Sequence, residues 1–251
     1  MIDTLLVSGC SFTELTNLAK PSWPHHTADI LKIKNVVNLA VSGAGNTYIC
    51  NSIIDYIEDF KPDPEKTLVT VMWSGIGRKD ILVSGEYWYL LSQYPFKKEY
   101  KNNPDSYYVF SSGMSNSWRD HDETRKLFEP LYLRDDPFSL CKQSLINFVN
   151  LENYLKVRNY KFKFTSFINQ WQVDKQSADN GDYSLGYFAS NFAMYKNLNF
   201  DNWFFVDQQK NSFYEYAKWN NMLNDDKFHP APPAHLKYAE QFVTFALKEY
   251  L

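Results

Sequence analysis

Short apolar runs, each followed by a glycine- or serine-containing turn, constrain the fold of this chain more than any other feature. Three runs have the length of buried strands: Leu5–Ser8, Val36–Ala40 and Thr67–Trp73. Tyr160–Ile168 alternates between two faces in the manner of a strand, and Trp203–Val206 is expected to be a short fifth strand.

Apolar residues at helical spacing fill the segments between these runs. The segments Thr47–Phe60, Leu145–Val157 and His235–Leu251 are predicted to be amphipathic helices, with His235 capping or packing the last one. Strands that alternate with helices predict one parallel sheet covered on both faces. We therefore expect a single α/β domain over residues 1–251, with three α/β/α layers around a five-stranded parallel sheet.

Composition excludes several classes of protein. The chain has 251 residues, 44% of them hydrophobic, and its formal net charge of −3 comes with no basic face, so no nucleic-acid partner is expected. Its three cysteines are too few and too far apart for a disulfide framework or a zinc site. Neither a signal peptide nor a membrane-spanning stretch is recognisable, which predicts a cytoplasmic or otherwise soluble protein without a membrane partner. The oligomeric state is left open.

Residues 84–136 interrupt the alternation of strands and helices. Tyrosine and tryptophan recur there among asparagine, serine and aspartate, in a chain that is 18% aromatic. Such a long connection predicts an insertion packed over the carboxyl edge of the sheet, where open α/β sheets place their sites. Its rings are suited to stacking on sugars, and equally to covering sheet edges and subunit contacts.

Two polar motifs lie near opposite ends of the chain. Ser11 follows the first predicted strand, where a nucleophile or an ordinary helix cap is expected. Asp226 and His229 stand three residues apart before Pro230, a spacing that suits an aspartate orienting an imidazole base, or ordinary helix-start residues. Together the motifs predict a Ser-His-Asp catalytic triad.

These motifs resemble the blocks of the SGNH (GDSL-type) hydrolases. Gly9-Cys10-Ser11 is similar to the Gly-Asp-Ser block that carries the nucleophile, and Asp226-x-x-His229-Pro230 is similar to the last block. The stretch from Asn38 to Gly43 resembles the second block, whose glycine offers a backbone amide to the oxyanion. The resemblance implies a flavodoxin-like fold, a triad of Ser11, His229 and Asp226, and oxyanion amides from Ser11 and Gly43.

The chain departs from that family pattern in two places. Cys10 replaces the aspartate next to the nucleophile. The third block of the family contains an asparagine that donates to the oxyanion, whereas here the sequence is Trp73-Ser74-Gly75-Ile76-Gly77-Arg78. Asn46 is the replacement that we expect in the oxyanion hole; the alternatives are Ser74, Arg78, or no replacement at all.

The expected function is hydrolysis of an ester, possibly an acylated carbohydrate, by a serine esterase or deacylase that needs no metal or organic cofactor. Substrate contacts are predicted for a set of residues after the third strand and in the insertion: Trp73, Ser74, Arg78, Tyr87 and Trp88. An acyltransferase with the same triad and a non-catalytic protein that binds glycans or a partner chain are the two alternatives.

Overall fold

The computed structural model describes residues 1–14, 21–78, 80–84, 106–110, 137–171 and 191–250. Within these ranges the strands are β1 (Thr4–Ser8), β2 (Asn35–Asn38), β3 (Thr67–Trp73), β4 (Asp80–Ser84), β5 (Ser106–Phe110) and β6 (Lys161–Ser166). The α-helices are α1 (Trp23–Leu31), α2 (Asn46–Phe60), α3 (Pro137–Val157), α4 (Phe213–Trp219) and α5 (Pro232–Ala246).

The main sheet is parallel, with the strand order β2-β1-β3-β6. Leu6 in β1 lies opposite Val37 on one side and Val69 on the other. All seven residues of β3 are buried, as expected for a strand that is covered on both faces. The chain leaves β1 towards β2 on one side and later returns to β3 on the other, so the carboxyl end of β1 is a switch point, where such sheets form a crevice.

Helices cover both faces of this sheet. Trp73 of β3 packs on Phe148 of α3, with 4.5 Å between their ring centroids, and on Phe164 of β6 at 5.4 Å. The next residue of β6, Thr165, points to the opposite face, where its hydroxyl hydrogen-bonds the Tyr238 hydroxyl of α5 at 2.6 Å. The three-layer α/β/α architecture predicted from the sequence is therefore present.

The prediction of a fifth strand is wrong in its extent. Trp203 makes only an isolated parallel bridge with Phe164, and the Phe204 amide donates to the Phe164 carbonyl at 2.7 Å. The backbone does not continue along the sheet because the Val206 amide donates to the Asn211 carbonyl at 2.9 Å instead. Among the described residues the sheet thus has four strands.

Other boundaries differ by a few residues. Helix α3 begins eight residues before the predicted Leu145, at Pro137, and α5 begins at Pro232, because proline fits the first turn of a helix. After Ala246 the chain turns into a short 3-10 helix, Lys248–Tyr250. The described part of the predicted insertion is β5 together with Ser84, and β4 pairs with β5 in antiparallel fashion. The remainder of 84–136 lies outside the described residues.

Across the described ranges, none of the helices has the combination of length and apolarity that crossing a membrane requires.

A buried histidine connects α5 to α1. The Trp23 backbone amide donates to Nδ1 of His235 at 3.1 Å, and the Phe213 ring meets the imidazole edge-on at 4.9 Å. Burial lowers the pKa of His235 to about 3, with a further lowering from His26, while a hydrogen bond to the Pro230 carbonyl opposes the shift. The ring is therefore neutral near pH 7, as a side chain that packs the helix should be.

Leu6→Ala should destabilise the protein by about 2–5 kcal/mol, because it removes a fully buried side chain from the central strand and leaves a cavity. Urea denaturation followed by circular dichroism measures the change. The same substitution at Leu236, which is 38% exposed on α5, should cost no more than about 1 kcal/mol. Equal losses at the two positions would contradict the assignment of Leu6 to the core.

His235 should make the free energy of unfolding fall as the pH drops from about 6.5 to about 3. The unfolded chain gains a proton near pH 6.5 that the folded chain gains only near pH 3, so the loss is about 1.4 kcal/mol per pH unit. Urea denaturation at a series of pH values should show that His235→Gln lacks this component. Tyr238→Phe, which removes a buried hydroxyl but no group that titrates in this range, should keep the wild-type slope.

Candidate active site

Ser11 lies in a tight turn at the carboxyl end of β1. The amides of Thr13 and Glu14 donate to the Cys10 carbonyl at 2.9 and 3.0 Å, which closes the turn. A Cβ atom at Gly9 would lie 2.4 Å from Oγ1 of Thr13, so the turn needs glycine there. Cys10 is fully buried in the core, whereas Ser11 is partly exposed and presents its hydroxyl outwards.

Asp226 and His229 lie on a loop immediately before α5. Leu223 pairs with Pro230 in an antiparallel bridge, and the Asn224 amide donates to the His229 carbonyl at 2.8 Å, so the two ends of the loop are joined. Oδ1 of Asp226 accepts from the backbone amides of Phe228 and His229, both at 2.9 Å. Its other oxygen is thereby directed at the imidazole.

The structure brings these three side chains, which the sequence predicts as a triad, into one hydrogen-bonded chain. Nδ1 of His229 lies 2.5 Å from Oδ2 of Asp226, and Nε2 of His229 lies 3.0 Å from Oγ of Ser11. Because a carboxylate only accepts hydrogen bonds, it favours the tautomer with hydrogen on Nδ1, and Nε2 then accepts from the serine hydroxyl. This arrangement can deprotonate the hydroxyl.

The carboxyl group of Asp226 is ionised near neutral pH. Burial alone would raise its pKa, but the hydrogen bonds from the Phe228 amide and from the side chain and backbone of His229 outweigh that effect and lower it. The side chain of Asp226 is 41% exposed and that of His229 is 30% exposed, so the pair remains in contact with solvent.

Aromatic rings surround the imidazole. Phe12 and Phe228 pack on His229 with centroid distances of 5.4 and 5.2 Å, and Phe167 packs on Phe12 at 4.7 Å. Phe228 is 37% exposed, so it forms an apolar surface beside the site. No sequence motif points to these three rings, although Phe12 and Phe228 adjoin Ser11 and His229 in the chain.

Gly43 lies in the turn after β2, where the resemblance places the second oxyanion amide. Its φ of 89° is a left-handed conformation that glycine adopts without strain. The Leu39 amide donates to the Val7 carbonyl at 2.8 Å and the Val41 amide donates to the Gly9 carbonyl at 3.2 Å. These bonds extend the pairing of β1 and β2 up to the two turns that carry Ser11 and Gly43.

The amide of Asn46 is engaged elsewhere. Its Nδ2 donates to the Ser74 carbonyl at 3.1 Å and to Oγ of Ser144 at 3.0 Å, and its Oδ1 accepts from the Ser74 amide at 2.8 Å. Asn46 is 2% exposed, and both of its amide hydrogens are used in this buried network. In this structure neither hydrogen is left for an oxyanion, so the contacts of Asn46 do not support the predicted role.

Two of the residues predicted to contact substrate have no exposed surface in this structure. Trp73 and Ser74 are fully buried, Trp73 within the aromatic core and Ser74 beside Asn46. Arg78 is partly exposed; its guanidinium lies 4.9 Å from the centroid of Phe167 and contacts the Ala44 carbonyl at 3.5 Å, so it reaches the Gly43 side of the site. Tyr87 and Trp88 lie outside the described residues.

Comparison with known proteins shows the fold. No family model matches the chain, and no curated protein matches it. The psychrotrophic esterase EstA from Pseudoalteromonas sp. superposes with a TM-score of 0.50 at 11% identity, covering 99% of this chain and 98% of the esterase. A member of the lipolytic protein G-D-S-L family from Veillonella parvula gives 0.49 at 11% identity and 98% coverage of both chains. An acetylxylan esterase from Geobacillus stearothermophilus gives 0.47 at 16% identity, covering 96% of this chain and 93% of its own. The likeness to the Pseudoalteromonas esterase confirms the predicted fold class: the chain shares the three-layer α/β/α fold of that protein.

Proposed function

We propose that this protein hydrolyses carboxylic esters by nucleophilic catalysis at Ser11. The observation that carries the proposal is the continuous hydrogen-bonded chain from Ser11 through His229 to Asp226. Ser11 and His229 are 218 residues apart in the chain. A serine that only caps a helix would not need an imidazole aligned with its hydroxyl in this way.

The reaction follows from the positions of these groups. Oγ of Ser11 attacks the ester carbonyl while Nε2 of His229 takes its proton, and the ionised Asp226 stabilises the resulting imidazolium. Negative charge then develops on the former carbonyl oxygen, where the backbone amides of Ser11 and Gly43 are the proposed donors. His229 passes the proton to the leaving alcohol as the bond between the alcohol oxygen and the carbonyl carbon breaks, which leaves the acyl group on Oγ of Ser11. A water molecule, deprotonated by His229, then attacks this acyl-enzyme. The bond to Oγ breaks, Ser11 regains the proton from His229, and the acid is released.

For the alcohol part of the ester we propose a carbohydrate. The support is the abundance of tyrosine and tryptophan over residues 84–136, since their flat faces suit sugar rings. Phe228, exposed beside His229, adds a further apolar surface on which a ring could stack.

Ser11→Ala should abolish labelling by a fluorophosphonate probe and lower the hydrolysis of p-nitrophenyl acetate by at least about 10⁴-fold, because the nucleophile is lost. Gel fluorescence and a spectrophotometric assay measure the two effects. Ser139→Ala, a matched change at an exposed position of α3, should behave as wild type. A folded wild-type protein that neither labels nor hydrolyses the ester would overturn the proposal and favour a binding function.

Asp226→Asn should lower kcat/KM by up to about 10⁴-fold while the fold is retained. The Asn oxygen can still accept from the loop amides, but its NH2 group then faces Nδ1 of His229 and favours the wrong tautomer. Steady-state kinetics and near-ultraviolet circular dichroism test this together. The control is Asp225→Asn at the exposed neighbouring position, and a similar loss of activity there would rule out a specific role for Asp226.

A further inference from the structure

Two carboxylates hold the Gly43 loop (residues 42–45) from its two ends. Oε2 of Glu14 accepts from the Ser42 amide at 2.8 Å and also from the Ser42 hydroxyl. On the other side of Gly43, Oδ1 of Asp80 accepts from the Gly45 amide at 2.7 Å. Its Oδ2 accepts from the Tyr48 amide at 2.8 Å, in the first turn of α2.

Gly45 packs so closely against Arg78 and Asp80 that no larger side chain fits at this position. A Cβ atom at Gly45 would lie 2.8 Å from the Arg78 carbonyl oxygen and 2.8 Å from Oδ2 of Asp80, which is well inside van der Waals contact. The Arg78 guanidinium meets the Ala44 carbonyl at 3.5 Å from the same side. The chain between β3 and β4 therefore packs directly against the Gly43 loop.

Asp80 keeps its place through several backbone donors. Burial raises its pKa to about 6, and the amides of Tyr48 and Gly45, the charge of Arg78 and the Thr47 amide oppose that rise. The amino-terminal end of α2 also favours a negative charge at this position. Because this pKa lies below 7, the Asp80 carboxylate is mostly ionised near neutral pH. It can therefore accept hydrogen bonds from both the Gly45 amide and the Tyr48 amide.

We propose that Glu14 and Asp80 are positioning residues that hold the Gly43 amide where the oxyanion develops. The inference rests on the proposed function, in which Gly43 is one of two oxyanion donors. The family's asparagine is absent from the third block, and Asn46 is engaged in the buried network with Ser74 and Ser144. More of the stabilisation then depends on the exact placement of one backbone amide, and a displacement of about 1 Å in such a site can cost about 10²-fold in rate.

Steady-state kinetics on p-nitrophenyl acetate should show that Glu14→Ala and Asp80→Ala each lower kcat by about 10- to 100-fold, with KM changed by less than about 3-fold. Titration with the fluorophosphonate probe to completion counts the active sites. Because kcat is then calculated per active site, a loss of folded protein does not lower its value. Glu14→Gln keeps an acceptor oxygen for Ser42 and should recover most of the rate. Asp80→Asn keeps only one acceptor for two amides and should recover less; these two variants also serve if the alanine forms do not fold.

Hydrogen–deuterium exchange provides a readout that does not depend on activity. Amides of residues 42–48 should exchange faster in the Glu14 and Asp80 variants, while the β3 amides stay protected. Glu58→Ala and Asp63→Ala, at carboxylates whose described contacts lie outside this loop, are the matched controls and should change neither exchange nor kcat.

Faster exchange together with a lower kcat supports the proposal. Unchanged exchange at residues 42–48 in both alanine variants overturns it, and so does faster exchange with an unchanged kcat. A wild-type protein that neither reacts with the fluorophosphonate probe nor hydrolyses p-nitrophenyl acetate would contradict the proposed function, whatever the variants show. Exchange would then decide whether the two carboxylates restrain the loop.

Discussion

The packing of α5 on α1 is the interaction on which the site depends. Trp23 of α1 meets Tyr238 and Phe242 of α5 edge-on, with ring centroids 5.9 and 5.4 Å apart, and the Trp23 amide is bound by His235. The turn that carries Ser11 comes shortly before α1, and the loop that carries His229 comes directly before α5. Holding these helices together therefore brings the two chain ends within hydrogen-bond distance.

A second, independent constraint places the Gly43 loop. Pairing of β2 with β1 continues beyond the strands themselves, so the turns after the two strands are neighbours. Ser11 and the proposed oxyanion donor Gly43 are thus joined by sheet hydrogen bonds, and His229 is placed by helix packing.

Apolar spacing predicts the four strands of the main sheet and the helices α2, α3 and α5, but it does not indicate α1, α4, β4 or β5. The run Thr67–Trp73 agrees with β3 at both ends, and the Ser11 and Asp226-x-x-His229 motifs meet as expected. The failures concern contacts between distant parts of the chain. Trp73 stands at the end of a strand, where substrate contacts are common, but strand alternation turns its ring towards α3.

Asn46 illustrates the same limit. Its partner Ser144 is 98 residues away, and no sequence pattern indicates that the two will meet. Glu14 and Asp80 belong to no motif either. A single carboxylate is ordinary in a sequence, and it becomes informative only once its backbone donors are known. Trp203–Val206 does not form a full strand because the Val206 amide donates to the Asn211 carbonyl rather than to the edge of the sheet.

The position of Cys10 has a practical consequence for studying this protein. The thiol adjoins the nucleophile in sequence, yet it is buried in the core, as are the other two cysteines. Burial raises the pKa of Cys50 and of Cys141 to about 12, which suppresses their thiolate forms. Alkylating reagents can therefore monitor opening of the native structure, and slow inactivation by such a reagent would report unfolding rather than a catalytic thiol.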